Sequence, residues 1–191
     1  MDDRVREHAE TLVGWSARIE PGDDVVVDVA EGAHELAVAV AERLGEVGAS
    51  MTVTYGSEEV TRAYLRAHDG EFGTAAGELA LFERADAYLR LGGGRNTAAT
   101  ADVESGTRQA YRSARTDLRE ARMDTDWVST VHPTRSLAQG AGMAYEAYRE
   151  FVYDAVLCDW EALAGKMARV KELLDSGEEV RIVTERDDRP S

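Results

Sequence analysis

Apolar and polar residues follow one another along this chain in blocks whose period changes between that of a helix and that of a buried strand. Val5, Leu12 and Ile19 recur at roughly helical spacing, which predicts an amphipathic opening helix over residues 2–19. After a turn, residues 24–30 contain an unbroken β-branched run. Such a run is typical of a strand that is buried on both faces.

The same change of period continues towards the end of the chain. Residues 33–48 carry one apolar stripe that ends at Gly48, as expected for an amphipathic helix with a glycine at its carboxyl end. Residues 145–174 predict one long helix or two in sequence. Further strands are predicted at 50–55, 85–91, 126–131 and 179–184, and further helices at 57–84 with an interruption near 70–73, at 102–122 and at 136–142.

Strands that alternate with helices predict an α/β fold, because consecutive parallel strands need a crossover that packs on the sheet. We expect a mostly parallel sheet of about five strands with helices on both faces, a Rossmann-like three-layer arrangement. A single α/β domain is predicted over residues 1–184, followed by a frayed tail at 185–191.

Net charge limits the partners of the protein. Asp and Glu number 37 against 22 Lys and Arg, which gives a formal net charge of −15. A field this negative repels phosphate backbones and anionic lipid headgroups, so nucleic-acid and membrane binding are disfavoured. All but two of the basic residues are arginine. This lysine-poor, acidic balance is similar to that of haloarchaeal proteins, whose self-repulsion is screened by salt.

Cysteine content and hydropathy favour a cytoplasmic protein. Cys158 is the only cysteine, so an intrachain disulfide is excluded, which suits a reducing compartment. No stretch approaches the roughly 20 apolar residues of a membrane span. The acidic start of the sequence lacks the basic and apolar regions of a signal peptide.

Residues capable of metal binding or nucleophilic catalysis do not form a recognisable motif. His34 lacks a second histidine one helical turn later, and His8 and His68 are predicted on helix surfaces. Asp124 and Asp126 are interpreted as turn residues before a strand. Cys158 is interpreted as a buried structural residue within a helix. The sequence therefore assigns no catalytic residue and no metal ligand.

Two loops follow predicted strands, where open α/β sheets place their ligand-binding residues. One is the glycine-rich loop after the third strand. It does not match G-x-G-x-x-G because Thr97 stands at the third glycine position, so a nucleotide site is only an alternative to a plain turn. In the other loop, Pro133 ends a strand and Thr134 is placed to cap the next helix. If this face lines a cavity, the candidate lining residues are Gly93, Gly94, Arg95, His132, Thr134 and Arg135.

Several segments together resemble the aminopeptidase T/aminopeptidase S family, the thermophilic metalloproteases. The opening P-G-D turn at residues 21–23 leads into an apolar strand and a helix that ends in G-A, as in that family. The most specific part is W-V-S-T-V-H-P-T at 127–134, followed by A-Q-G-A-G-M at 138–143, D-W-E-A-L at 159–163 and E-V-R-I-V at 179–183. The resemblance covers nearly the whole chain.

The resemblance implies an N-terminal scaffold domain of a homodimeric, metal-dependent aminopeptidase that removes N-terminal residues from peptides. It implies two metal ions, commonly zinc or cobalt, held by a C-terminal domain. In the family, the strand that resembles residues 180–183 is soon followed by a G-T-D-L-like segment that leads into that domain. Residues 185–191 stand in its place. This chain is therefore expected to lack the metal ligands and to be inactive alone, either as a truncated or frameshifted product or as a standalone domain.

Two other functions stay open at this point. One is a non-catalytic binding or dimerisation module, which would use an exposed apolar surface. The other is a nucleotide-binding α/β domain that uses the loop at Gly92. In either case a homo-oligomer is expected. A peptide substrate is expected only in the context of the full-length family member.

Overall fold

The fold is built on one parallel sheet. The computed structural model describes residues 1–179 and divides into two compact units, Met1–Leu157 and a second that begins at Cys158. The four strands lie in the order β2-β1-β3-β4, and all neighbouring pairs are parallel. They are β1 Asp24–Ala30, β2 Ser50–Gly56, β3 Ala87–Gly92 and β4 Asp126–Val131.

This sheet confirms the α/β prediction with helices on both faces. The predicted strand at 179–184 lies outside the described residues, apart from Glu179, and so does the predicted tail at 185–191. No helix of residues 1–179 is long and apolar enough to cross a membrane.

The helices lie in the predicted segments, but three of these segments each contain two helices. The predicted segment 57–84 is two helices, and 102–122 and 145–174 are also each divided in two. The opening α-helix continues as a wider π-helical turn over Thr11–Ser16, and a 3-10 turn over Glu31–Ala33 precedes α2. The helices are α1 Asp3–Glu10, α2 His34–Val47, α3 Glu58–Ala67, α4 Ala76–Phe82, α5 Ser105–Ser113, α6 Thr116–Met123, α7 Arg135–Gly140, α8 Tyr145–Val156 and α9 Trp160–Asp175.

One face of the sheet carries most of the apolar core. Val25, Val27 and Val29 alternate along β1 and point to this face, where Leu36 of α2 and Leu89 of β3 are fully buried beside them. Helices α1 and α8 contribute further buried side chains to the same cluster. We refer to this side as the sealed face, because alternate residues of β1 and β3 and the amphipathic helices exclude water over these two strands.

The opposite face has a much smaller apolar core. Its buried cluster consists of Val26, Tyr88, Phe82 from α4 and Leu118 from α6. Asp28 and Arg90, which are register partners on β1 and β3, point to the same side. We refer to this side as the arginine face, for the side chains described below.

The strand order places a switch in chain direction between β1 and β3. From β1 the chain crosses outward to β2, whereas from β3 it crosses outward to β4 on the other side. In open α/β sheets the crevice beside the carboxyl ends of such strands is the usual place for a ligand. The loops after β1 and β3 are therefore expected to border a ligand-binding crevice.

The second unit, as far as it is described, contains α9. Its first turn is capped by Asp159, whose carboxylate accepts a hydrogen bond from the backbone N–H of Ala162 at 2.9 Å. Cys158 is half-buried and free. Its expected full burial within a helix is therefore wrong, because it lies in the short break between α8 and α9.

Candidate functional site at the carboxyl edge of the sheet

The loops after β1 and β3 pack directly against each other. A Cβ atom added to Gly32 would lie 2.0 Å from the carbonyl oxygen of Gly93 and 2.8 Å from Cγ2 of Thr134. Gly93 itself has a φ of 155°, a backbone angle that residues other than glycine rarely adopt. The contact between Gly32 and Gly93, which we call the glycine seam, closes the switch point.

Polar side chains gather on the β2 side of the glycine seam. Glu31 accepts a hydrogen bond from the Ser57 hydroxyl at 3.0 Å and pairs with Arg95 at 3.2 Å. The Glu58 carboxylate lies against Gly94, where an added Cβ would be 2.1 Å from Oε1. Oε2 of Glu58 is buried without a hydrogen-bond partner among the described residues. This side of the edge therefore presents two carboxylates and one guanidinium.

A cavity of about 270 Å³ opens beside these groups. Gly93 and Gly94 line it, together with Ser57 and Glu58. A phosphate placed here would meet the carboxylates of Glu58 and Asp28, and like charges repel. The geometry of this loop does not favour the nucleotide alternative.

The loop after β4 is fixed to the loop after β3 by hydrogen bonds. The backbone N–H of His132 donates to the carbonyl of Gly92 at 2.7 Å, and the Thr134 hydroxyl donates to the carbonyl of Gly94 at 3.0 Å. Oγ1 of Thr134 also accepts from the N–H of Leu137 at 3.2 Å. The predicted helix cap at Thr134 is confirmed.

The six candidate lining residues therefore do not converge on one point. Gly93 and Gly94 line the cavity, and Thr134 lies against them. Arg95 turns to Glu31, and the guanidinium of Arg135 lies 4.9 Å from the ring centroid of Tyr145. The loops share one edge, but the side chains have separate partners.

Two buried histidines lie near the end of β4. His132 is 8% exposed, with Nε2 3.9 Å from a carboxylate oxygen of Glu35. His8 is only 1% exposed, and its Nε2 is 2.8 Å from Oγ1 of Thr130. The predicted surface position of His8 is wrong, because the face of α1 that carries His8 packs on the sheet.

Burial changes the titration of both rings. It lowers the pKa of His8 to about 4, with a smaller contribution from His132. Burial also lowers the pKa of His132, and the nearby Glu35 carboxylate opposes that change. Both imidazoles are therefore neutral at neutral pH, and neither is an obvious proton donor there.

The side chains at this edge do not fit a catalytic metal. Residues 1–179 contain no group of three or more His, Cys, Asp or Glu side chains placed to hold a metal ion. A catalytic zinc site ordinarily needs three protein ligands and an open position. Asp124 ends α6 and Asp126 begins β4, as expected of turn residues before a strand.

Sequence reasoning missed Glu31, Ser57 and Glu58 at the carboxyl edge. A signal was available, because Glu31 follows β1 directly and Ser57-Glu58 follow β2 directly. The rule that selected the loops after β3 and β4 applies equally to them. Ser57 occupies the N-cap position of α3, but its hydroxyl donates to Glu31 and does not cap the helix.

A parallel sheet with a switch in strand order and polar loops at its carboxyl edge defines a doubly wound α/β domain. Comparison with known families then identifies the chain more closely. The model of the thermophilic metalloproteases (M29) matches residues 1–187, and the chain belongs to that family.

The fold is also found in a solved structure. Wild-type AmpT from Thermus thermophilus is similar with a TM-score of 0.73 and 20% sequence identity, over 90% of this chain and 48% of that chain. This chain thus spans about half the length of AmpT. A cysteine desulfurase from Thermococcus onnurineus NA1 matches with a TM-score of 0.40 and 11% identity, over 71% of this chain and 28% of that chain. No curated protein matches the sequence.

Proposed function

We propose that this chain is the N-terminal scaffold domain, over residues 1–184, of a metal-dependent aminopeptidase. The observation that carries the proposal is the family match over residues 1–187, because it spans nearly the entire sequence. AmpT shares the fold over 90% of this chain. In the full-length protein, the substrate would be a peptide that loses its N-terminal residue.

The metal in this proposal belongs to another part of the full-length protein. The described residues do not fit it, because they provide no set of three ligands. Zinc or cobalt held by a C-terminal domain would supply the activated water and polarise the peptide carbonyl. The present chain would instead contribute a wall of the peptide cavity.

The proposed wall is the carboxyl edge of the sheet. Glu58 and Asp28 place two carboxylates on the lining of the cavity of about 270 Å³. Carboxylates suit the positively charged amino terminus of a peptide. The hydrogen bonds from His132 and Thr134 hold the two loops in a fixed relation, which a binding wall requires.

Hydrolysis by the isolated chain tests this assignment. We expect the purified 191-residue protein, supplied with zinc or cobalt, to release no chromophore from aminoacyl anilides. A family member that contains the C-terminal domain provides the positive control under identical conditions. Metal-dependent turnover by the present chain would overturn the scaffold assignment. Metal analysis after dialysis should likewise find no stoichiometric zinc.

A homo-oligomer is a second part of the proposal, and an interaction module is the alternative function that it supports. Edge strand β2 exposes Met51, Val53 and Tyr55, which are 42%, 52% and 63% exposed. An apolar edge strand of this kind commonly pairs with another chain. Sedimentation over a wide range of protein concentration measures the association. A protein that stays monomeric at every concentration would argue against both the homo-oligomer and the interaction module.

The acidic composition supports a proposed haloarchaeal, cytoplasmic origin. At a net charge of −15 the folded chain repels itself, and salt screens that repulsion. We expect the melting temperature to rise between low salt and molar potassium chloride. Equal melting temperatures in both would contradict adaptation to salt.

A further inference from the structure

Five arginines line one cavity on the arginine face of the first unit. A cavity of about 620 Å³ lies between the sheet and helices α4, α5 and α6. Arg90 reaches it from β3. The helices add Arg112, Arg115, Arg119 and Arg122, which follow one another at intervals of three and four residues.

The spacing explains why Arg115, Arg119 and Arg122 share a cavity, because they follow one another from the N-cap of α6 into that helix. Residues three and four apart lie on the same side of a helix. The chain breaks between α5 and α6 at residues 114–115, but the four arginines of this stretch all line the same space. The sheet side adds Arg90, whose neighbours along β3 point to the opposite face.

Acidic partners do not neutralise this group. Only Asp28 and Glu78 line the cavity beside five arginines. Glu78 pairs with Arg115. Asp28 already accepts hydrogen bonds from the hydroxyls of Thr54 at 2.9 Å and Tyr88 at 3.1 Å, and its carboxylate is 4.0 Å from Nε of Arg90.

Three of the five arginines have no acidic partner. Arg112, Arg119 and Arg122 form no ion pair with any residue of the described range 1–179, although carboxylates outnumber basic residues in the chain by 37 to 22. Some arginines elsewhere in the first unit are paired with acids, as Arg62 is with Asp102 at 2.5 Å.

We propose that this cavity binds a small multivalent oxyanion, of the polyphosphate class, between the sheet and helices α5 and α6. Planar guanidinium groups donate paired hydrogen bonds to phosphate oxygens, and arginine is the residue best suited to this geometry. The volume of about 620 Å³ lies within the usual range for small-molecule sites.

The size of the ligand follows from the charge outside the cavity. The whole chain has a net charge of −15, so an extended polyanion would run from the arginines onto a repelling surface. A compact anion meets only the local excess of arginines. This separates the proposed ligand from nucleic acids and acidic proteins.

Calorimetric titration with sodium tripolyphosphate at 0.15 M salt tests the proposal. We expect saturable binding of one anion per chain. The variant Arg112→Gln/Arg119→Gln removes two of the three guanidiniums that form no ion pair within residues 1–179 and retains helix-forming residues. Because each charge-assisted hydrogen bond contributes substantially, Kd should rise at least about tenfold.

A matched variant controls for net charge. Lys166→Gln/Arg169→Gln removes two exposed positive charges from α9, neither of which lines the cavity. Its Kd should change less than about twofold, since long-range effects of exposed charges are screened. Circular dichroism of both variants checks that they are folded. Equal weakening in the two variants, or no saturable binding by the unaltered chain, would overturn the proposal.

Two further titrations define the ligand. Binding of ATP with the same dependence on Arg112 and Arg119 supports the proposal and extends it to nucleoside polyphosphates. Binding of hexaglutamate without any binding of tripolyphosphate would contradict it, because the site would then select an acidic peptide. The outcome of these titrations does not depend on the peptidase assignment, because they measure binding and not hydrolysis.

Discussion

The two faces of the sheet are built from the same strands but are filled in opposite ways. On the sealed face, Val25, Val27 and Val29 meet helices that exclude water, and even His8 is buried there as a neutral ring. On the arginine face, alternate residues of the same strands include Asp28 and Arg90, above an open cavity. One face is arranged for stability, and the other keeps polar groups accessible for binding.

This division explains how a small acidic domain can contain an arginine-lined cavity. Charged side chains next to a cavity contribute little apolar burial, so the free energy of folding has to come from elsewhere. The sealed face supplies it through a cluster that includes α1, α2 and α8. We therefore expect substitutions on the two faces to differ in kind.

The largest difference should come from truncating one leucine on each face. Leu36 is fully buried on the sealed face, and we expect Leu36→Ala to lower the free energy of unfolding by about 4 kcal/mol. Leu118 is buried but lines the open cavity, so Leu118→Ala should cost about 2 kcal/mol because solvent can occupy part of the space. Urea unfolding measures both. Equal losses would contradict the distinction between the faces.

The next effect is a pH dependence that belongs to the sealed face. The pKa of His8 is about 4 in the folded state and near 6.5 when the chain is unfolded. Below pH 6.5 the unfolded state binds the proton first. His8 therefore removes up to about 3 kcal/mol of stability as pH falls from 6.5 to 4, and none above 6.5.

The variant His8→Gln isolates this contribution, because glutamine cannot titrate. Its free energy of unfolding should vary less between pH 7 and pH 4 than that of the unaltered chain. His68→Gln is the control, since His68 stacks on Phe72 at a centroid distance of 4.1 Å and lies outside the core. If His8→Gln and His68→Gln change the pH dependence equally, burial of His8 is not its cause.

A smaller effect is expected for the hydroxyl that fixes Asp28. Tyr88→Phe removes the hydrogen bond to the Asp28 carboxylate and leaves the ring in the apolar cluster. We expect a loss of about 1 kcal/mol in unfolding free energy. The same variant should change tripolyphosphate binding less than Arg112→Gln/Arg119→Gln does. A larger effect on binding than on stability would assign Tyr88 to the ligand site.

The smallest effect should be on the stability of the arginine variant itself. Arg112 and Arg119 are exposed. Removing both should therefore change the free energy of unfolding by less than about 0.5 kcal/mol at each site. A loss of several kcal/mol on thermal and urea unfolding would show that these arginines support the fold, and the contrast between the faces would fail.

The strands were predictable because their signals are local. The β-branched run at 24–30 and the stop at Gly48, where φ is 85°, depend only on neighbouring residues. The end of β4 and the cap at Thr134 follow similarly from Pro133 and from the residue type. From these local features, the layers, the parallel strands and the loops at the carboxyl edge could be predicted.

Features that depend on contacts between distant segments were not predictable. His8 is buried because Thr130, 122 positions away, lies 2.8 Å from its ring. The division of the predicted helix 102–122 after Ser113 has no glycine or proline to announce it. The regular spacing of arginines from residue 112 to 122 can be read from the sequence. The cavity that they line could not be predicted, because it also depends on the position of Arg90 on the sheet.

The glycine seam sets how closely the loops after β1 and β3 can approach each other. A side chain at Gly32 would collide with the carbonyl oxygen of Gly93 and with Thr134, which itself donates a hydrogen bond to Gly94. A larger residue at position 32 would therefore push apart the loops that line the pocket beside Glu58. In evolution or engineering, Gly32 would be the position to keep constant while side chains around the pocket vary.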